Sequence, residues 1–280
     1  MFNNLTLDQY GYLKIAGGVA FMLAVGVPLW ILISLRPVFD EQLCIVDTAP
    51  PGHRVLVFDI SEPEDAYTLA SAIRDQSEDL PQYHRLSVYR IADLNETPTA
   101  EVGAHALWPL VRVFSACNPG RGDQVNWMIT GSKYAEKRYR SLFAEPIDKM
   151  IEETAALAGS ATSPIMDALA QVPDIEHFGS QVTERTLQIR SDFLQHTLPQ
   201  YTHYTADIKD VDYALNRIGV VVPNLAEFKV QVDFVQRTQY VRWQNDKHRE
   251  FWNDYFSKAT NSSRDHSALI FNDQPGRGVL

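Results

Sequence analysis

The sequence predicts an α/β protein: a doubly wound, mostly parallel sheet preceded by one N-terminal transmembrane helix. Two observations carry this prediction. Short apolar runs rich in β-forming residues alternate with helical patterns along residues 54–260, and such alternation specifies a layered, largely parallel sheet. An uncharged apolar run extends from Ile15 to Leu35, which is the length a helix needs to span a bilayer.

The same patterns divide the chain into parts with different roles. They are a short tail at 1–14, a transmembrane helix at 15–35, a tether at 36–53, a folded domain at 54–260 and a polar tail at 261–280. The composition, 45% hydrophobic and 11% aromatic, is sufficient for a substantial core. The formal net charge of −10 argues against a phosphate-binding surface, so no nucleic-acid partner is expected.

The apolar run predicts a retained membrane anchor. It holds 21 residues between Lys14 and Arg36, more than the about 7–15 apolar residues of a signal peptide. Trp30 near one end fits an aromatic residue at the membrane interface. Small residues recur at every fourth position and could let two such helices approach closely, which suggests a homo-oligomer; they are Ala16, Ala20 and Ala24.

The side of the membrane on which the domain lies is less clear from the sequence. Lys14 and the amino terminus on one side nearly match Arg36 and Arg54 on the other. An N-terminal signal anchor commonly keeps its short tail inside, which favours a domain outside the cytoplasm. A cytoplasmic domain is the alternative.

The two cysteines, Cys44 and Cys117, either pair or stay free as buried thiols. No CxxC motif and no Cys/His cluster at zinc spacing occurs in the sequence, so a structural zinc site is not expected. In an oxidising compartment a disulfide would tie the segment after the membrane to the folded domain.

The first strand of the domain is predicted at Val55–Phe58, where four β-forming residues leave no solvated face. Asp59 and Ser61 follow directly, and a helical pattern covers 62–80. Ligands bind at the carboxyl ends of strands in open α/β sheets, so this acid and hydroxyl form a candidate site for a hard cation. Capping of the next helix is the simpler alternative.

The rest of the domain continues the alternation. Further strands are predicted at 85–91, 110–116, 186–190 and 228–234, with a short edge strand at 268–271, and further helices at 134–157, 206–218 and 240–259. Pro146 predicts a break or kink in the first of these helices. The turn-rich segment 117–123 should lie on the same edge as Asp59 if the sheet is parallel, and strand 228–234 should lie near a sheet edge.

Two more polar positions coincide with element ends. A small-residue loop delivers Thr162 and Ser163 to a helix start at Pro164, where capping alone would explain the hydroxyls. Strand 186–190 ends at Ser191-Asp192, which repeats the pairing of a hydroxyl and an acid seen after the first strand.

In order and spacing these segments resemble the von Willebrand factor A-like (vWA) family over about 54–256. Asp59-Ile-Ser61-Glu-Pro63 matches the first two residues of the Asp-x-Ser-x-Ser loop, with Pro63 in place of the second serine. Ser163 stands at the family's threonine position. Ser191-Asp192 resembles its Thr-Asp-Gly segment, with Phe193 replacing the glycine.

The resemblance implies a metal-ion-dependent adhesion site at which a carboxylate of a partner protein completes the coordination of Mg²⁺ or Ca²⁺. The implied metal ligands are Asp59, Ser61, Ser163 and Asp192, and all four offer the oxygen atoms that hard cations prefer. Glu62 or Asp65 could compensate through water for the missing serine.

The chain also resembles a group of membrane-anchored bacterial proteins with Cys-Asn-Pro-Gly and Ser-Pro-Ile-Met segments. That similarity implies no activity. Together with the predicted anchor, it favours a single-pass protein of the bacterial inner membrane; the orientation argued above favours a periplasmic domain, with a cytoplasmic domain as the alternative.

Three functions follow from these observations. The first is a membrane-anchored protein-binding or scaffold module with an incomplete adhesion-type metal site. The second is a metal-dependent phosphoesterase or nuclease, but Asp59 has no second acid two residues on, no lysine forms a phosphate clamp, and His196 is not obviously placed as a base. We therefore expect no enzyme and no catalytic residue. The third is a structural domain whose site has decayed.

Overall fold

The computed structural model describes residues 7–59, 66–96, 107–156, 159–261 and 269–275. In these residues the protein is an α/β domain with a mostly parallel sheet and one N-terminal apolar helix. The strands are β1 (Gly52–Asp59), β2 (Arg85–Ile91), β3 (Leu110–Cys117), β4 (Glu184–Ser191), β5 (His196–Thr197), β6 (Tyr201–Thr202), β7 (Lys229–Gln236) and β8 (Leu269–Pro275). The main sheet has the order β3-β2-β1-β4-β7-β8, and β5 and β6 form a separate small hairpin.

Helices connect most of these strands. They are α1 (Leu7–Ser34), α2 (Ala66–Glu78), α3 (Ser132–Tyr139), α4 (Glu145–Ala155), α5 (Ile165–Ala170), α6 (Val211–Ile218) and α7 (Asp246–Thr260). Within α1, residues Lys14–Ser34 are long and apolar enough to cross a membrane, with a mean hydropathy of 2.2 and no part buried against the domain.

The central strand β1 is buried on both faces. Val55 and Val57 point into a core formed with α5, α6 and α7, whereas Leu56 and Phe58 point into a second core formed with α2 and α4. A strand without a solvated face explains why the sequence here is a continuous apolar run rather than an alternating one.

The third strand runs antiparallel to its neighbour, which corrects the predicted position of segment 117–123. Cys117 pairs with Arg85 at the start of β2, so the end of β3 lies at the amino edge of the parallel strands, opposite the edge that carries Asp59. Residues 92–109 contain no helical pattern, and a parallel crossover usually needs a helix. The chain therefore returns beside β2 in the reverse direction.

Helix 134–157 does not break at Pro146. The chain passes from α3 through one π-helical segment at Arg140–Ala144 directly into α4. Pro146 lies in the first turn of α4, and the widened π turn accommodates a residue that has no amide hydrogen to donate within the helix.

At the end of the chain, β7 pairs with both β4 and β8, so it lies near a sheet edge as predicted, and β8 is the edge strand. The predicted 240–259 helix begins later, because the side chain of Asn245 accepts a hydrogen bond from the His248 amide and caps α7.

The segment that follows α1 is attached to the amino edge of the sheet. Cys44 and Cys117 form a disulfide, and the Cys117 amide donates to the carbonyl of Gln42 over 2.8 Å. Phe39 lies under the guanidinium of Arg138, 4.3 Å from the ring centroid. The end of the apolar helix is thereby fixed next to one defined edge of the domain.

Candidate functional site

A cluster of three oxygen-bearing side chains lies at the carboxyl ends of the two central strands. Asp59 is the last residue of β1 and is buried. Its Oδ2 atom accepts hydrogen bonds from Ser163 Oγ at 2.9 Å and from Ser191 Oγ at 3.0 Å. Three segments that are remote in the sequence therefore meet at one carboxylate oxygen.

Ser163 is held in this cluster by its own backbone. Its amide donates to the His196 carbonyl over 2.8 Å, and the His196 amide donates back over 2.9 Å, which makes a short antiparallel bridge with β5. Pro164 follows and begins α5. Gln195 fixes that helix start from the other side, because its Oε1 accepts the Met166 amide hydrogen at 2.9 Å.

Asp93 fastens the loop that leads to Ser163. Its Oδ2 accepts the amide hydrogen of Ala161 at 2.6 Å, and its Oδ1 accepts the hydroxyl of Thr162 at 2.9 Å. Burial raises the pKa of the Asp93 carboxyl, but the hydrogen bonds from Asn95, Ser160, Thr162 and Ala161 outweigh burial and hold the pKa below its ordinary value. The group is a carboxylate at neutral pH.

The other predicted metal ligands are placed differently. Ser61 lies outside the described residues, together with Glu62, Pro63 and Asp65. Asp192 is buried, but its Oδ1 accepts the amide hydrogen of Leu194 at 3.0 Å and its Oδ2 lies 3.6 Å from Nε of Arg237. The hydroxyl of Ser191, the residue before Asp192, contacts Asp59.

Arg237 belongs to the site although the sequence interpretation did not include it. It follows β7 directly, so it emerges at the same edge as Asp59 and Ser191. Gln244 connects the residues that follow β7 and β4. Its Oε1 accepts the Arg237 amide hydrogen at 2.7 Å, and its Nε2 donates to the carbonyl of Asp192 at 3.0 Å. The position of Arg237 immediately after an alternating strand was a signal that could have identified it.

A cleft of about 300 Å³ opens beside the cluster. The lining combines small and hydroxyl side chains with rings; the lining residues are Ser160, Ala161, Thr162, Ser163, His196, Tyr204 and Tyr240. The rings meet edge to face, with centroids 5.3 Å apart for His196 and Tyr204 and 5.5 Å apart for Tyr204 and Tyr240. Hydroxyls and amphipathic rings in one cleft suit a polar group carried on an apolar stem.

The residue after Asp192 connects this edge to the core. Phe193 has φ of 60°, a left-handed conformation that usually favours glycine. Its carbonyl accepts hydrogen bonds from Trp252 Nε1 and His248 Nε2, both at 2.8 Å, and from His203 Nδ1 at 3.2 Å. These buried donors hold the backbone in the conformation that glycine would adopt freely.

Burial determines the charge of the two histidines. It lowers the pKa of His203 well below the ordinary value and that of His248 to about 4. Both rings are therefore neutral at neutral pH, and each retains one ring nitrogen that donates to Phe193.

No protein-family model matches the chain, and no curated protein matches it. The described residues also contain no group of three or more His, Cys, Asp or Glu side chains that could hold a metal ion. What the cluster offers is one carboxylate and two hydroxyls, next to an Asp–Arg ion pair and an aromatic cleft.

Proposed function

We propose that the chain is a membrane-anchored, vWA-like protein-binding module that engages its partner at the carboxyl edge of a doubly wound sheet. The strand order supports this proposal. When the small hairpin is set aside, the six sheet strands run 3-2-1-4-5-6 in chain order, which is the order of doubly wound nucleotide-binding sheets. The chain order reverses between β1 and β4, and ligands of such sheets bind at that point.

The convergence of Asp59, Ser163 and Ser191 is the observation that carries the proposal. All three lie at the carboxyl ends of β1 and β4 or in the loop beside them, with both hydroxyls within 3.0 Å of one carboxylate oxygen. Buried polar groups gathered at a ligand-binding edge, and opened to solvent by an adjacent cleft, are typical of a recognition site.

The cluster offers the oxygen donors that a divalent cation prefers. Such an ion needs more donors than these three residues supply. Ca²⁺ takes six to eight oxygen ligands and Mg²⁺ takes six. Asp59, Ser163 and Ser191 would hold the ion, with Ser61 as a further candidate, and water and a carboxylate of the partner would complete the shell. We therefore propose weak Mg²⁺ or Ca²⁺ binding, with a dissociation constant of about 10⁻⁴ to 10⁻³ M.

The disulfide supports the placement of the domain outside the cytoplasm. Cys44 and Cys117 are joined, and disulfides persist in oxidising compartments such as the periplasm. With the short N-terminal segment inside, the chain would be a single-pass protein of the bacterial inner membrane.

Calorimetric titration of the chain with Mg²⁺, Ca²⁺ and Mn²⁺ tests the metal part of the proposal. We expect heat of binding for at least one ion in the unmodified chain and none in Asp59→Ala. Asp123→Ala, which changes an exposed acid on the opposite edge, should bind as the unmodified chain does.

Two results would favour the other functions. If no ion gives heat of binding, the metal-binding proposal is wrong, and a structural domain with a decayed site is favoured. Hydrolysis of generic phosphoesters that is lost in Asp192→Ala would favour a metal-dependent hydrolase over a binding module.

A further inference from the structure

The segment between β3 and α4 presents large side chains to solvent. Trp127 is 73% exposed, Met128 is 56% exposed and Tyr134, on α3, is 66% exposed. Water is a poor environment for such side chains, whereas the boundary between lipid headgroups and acyl chains suits the amphipathic rings of tryptophan and tyrosine.

These side chains lie beside the exit of α1. Arg36 comes two residues after the last residue of α1, and its Nε donates to the carbonyl of Ile129 over 3.0 Å. Trp127 and Met128 immediately precede that carbonyl in the chain. If α1 spans a bilayer, Arg36 lies at the level of the headgroups, and segment 127–129 lies at the same level.

The charge of the surrounding surface differs from that of the whole chain. The formal net charge is −10, yet residues 121–140 carry only two acids, Asp123 and Glu136, against a basic set of Arg121, Lys133, Lys137, Arg138 and Arg140. Lys133, Lys137 and Arg140 line one groove of about 620 Å³ along α3, together with Glu136 and Glu145, so basic residues outnumber acidic ones there by three to two. A basic surface with exposed aromatic residues is attracted to anionic lipid.

We propose that residues 121–140 form a second membrane contact, in which Trp127, Met128 and Tyr134 insert into the interface of the bilayer that α1 spans. The proposal rests on the membrane anchor proposed above. Because this segment follows the antiparallel strand β3, it lies at the amino edge of the sheet, and the contact would turn Asp59 and the aromatic cleft away from the lipid. The partner site would then face the aqueous compartment in a fixed orientation.

Quenching of tryptophan emission by lipids with brominated acyl chains tests this contact. The full chain is incorporated into phosphatidylcholine vesicles in a Trp30→Phe background, which removes the tryptophan within α1. We expect brominated lipid to lower the tryptophan emission of the chain, because a Trp127 ring at the interface lies near the acyl chains, and we expect Trp127→Phe to abolish that loss. Trp243→Phe, a matched change at the opposite edge, should leave the quenching in place.

The outcomes separate this inference from the anchor itself. In the unmodified chain, quenching of Trp30 and flotation with the vesicles report insertion of α1. Insertion of α1 without quenching of Trp127 would overturn the second contact alone, whereas failure of both would overturn the anchor and the contact together. Replacing part of the phosphatidylcholine with phosphatidylglycerol should increase the quenching, and an unchanged signal would overturn the role of the basic residues.

Discussion

At the scale of single residues, the backbone carbonyl of Phe193 joins the candidate site to the core. It follows Asp192 at the carboxyl edge and accepts hydrogen bonds from three buried rings, those of His203, His248 and Trp252. The conformation of the site loop therefore depends on side chains that never reach the cleft. Two of those side chains are histidines, so we expect the loop to respond to pH.

Acid should destabilise the domain through these histidines. An unfolded histidine takes up a proton near pH 6.5, whereas burial lowers the pKa of folded His248 to about 4. The unfolded state thus binds more protons between these values, so the free energy of unfolding falls as pH decreases through this window. Two and a half pKa units correspond to at most about 3 kcal/mol for His248.

Denaturant unfolding at several pH values between 7.5 and 4 measures this effect. The variant His248→Gln should be less stable at neutral pH because it disturbs the bond to Phe193, yet its stability should depend less steeply on pH. Equal slopes for the variant and the unmodified chain would contradict the assignment to His248.

The two serine hydroxyls on Asp59 should be energetically coupled. Each donates to the same buried oxygen, so we expect Ser163→Ala and Ser191→Ala each to cost about 1–2 kcal/mol. The double variant should deviate from the sum by about 0.5 kcal/mol or more, as neighbours in one network do. Chemical denaturation measures the free energy of unfolding of the unmodified chain, of both single variants and of the double variant. Strictly additive losses would contradict a shared acceptor. Ser141→Ala, an exposed control, should change stability by less than about 0.5 kcal/mol.

At the scale of elements, the site is assembled from loops that are each fixed by one polar side chain. Asp93, after β2, holds loop 160–162, and Gln244, before α7, joins the ends of β4 and β7. Loop geometry here does not follow from strand packing alone. It depends on hydrogen bonds between elements that are far apart in sequence.

Replacing Asp93 should loosen the loop that carries Ser163. In Asp93→Ala the amide of Ala161 and the hydroxyl of Thr162 lose their acceptor, and we expect a loss of about 1–2 kcal/mol in stability. Hydrogen exchange followed by mass spectrometry should show faster exchange in the peptide that covers 159–165. If this peptide exchanges as slowly as in the unmodified chain, the bridge between Ser163 and His196 is enough to hold the loop without Asp93. Asp174→Ala, a change at an exposed acid outside this loop, serves as the control.

At the scale of the whole molecule, the two edges of the sheet carry different features. The amino edge carries the disulfide, the segment after α1 and the exposed Trp127. The carboxyl edge carries Asp59, the Asp192–Arg237 ion pair and the aromatic cleft. In the proposed function, this polarity separates attachment from recognition.

Loss of the disulfide should weaken the whole domain. The bond closes a loop with a sequence separation of 73 residues, and a loop of that length corresponds to at most about 4 kcal/mol in the chain-entropy account. We expect the double variant Cys44→Ser/Cys117→Ser to unfold at lower denaturant concentration by a corresponding amount. An unchanged midpoint would show that the other contacts at the amino edge suffice.

The side of the membrane is tested with reporter fusions after Leu280. Alkaline phosphatase should be active and a cytoplasm-dependent fluorescent protein dark, because the proposed orientation places the domain in the oxidising compartment. The reverse pattern would place the domain in the cytoplasm.

The local properties of the chain were predictable from its sequence. The apolar run that can span a membrane, the fully buried strand β1 and the positions of Asp59, Ser163 and Ser191 at element ends all follow from periodicity and composition within short windows. The coarse fold class follows from the same windows, since α/β alternation constrains the sheet to be mostly parallel.

Tertiary structure decided which of these residues meet and in which direction the third strand runs. Strand direction depends on what a connection can span, and the pairing of Asp59 with Ser191 while Asp192 faces Arg237 depends on side-chain orientation at a turn where Phe193 is left-handed. Periodicity reports which face a residue lies on, but hydrogen-bond partners remote in sequence are selected only when the elements pack. The sequence thus determined that polar groups end the central strands, and packing brought one carboxylate and two hydroxyls together.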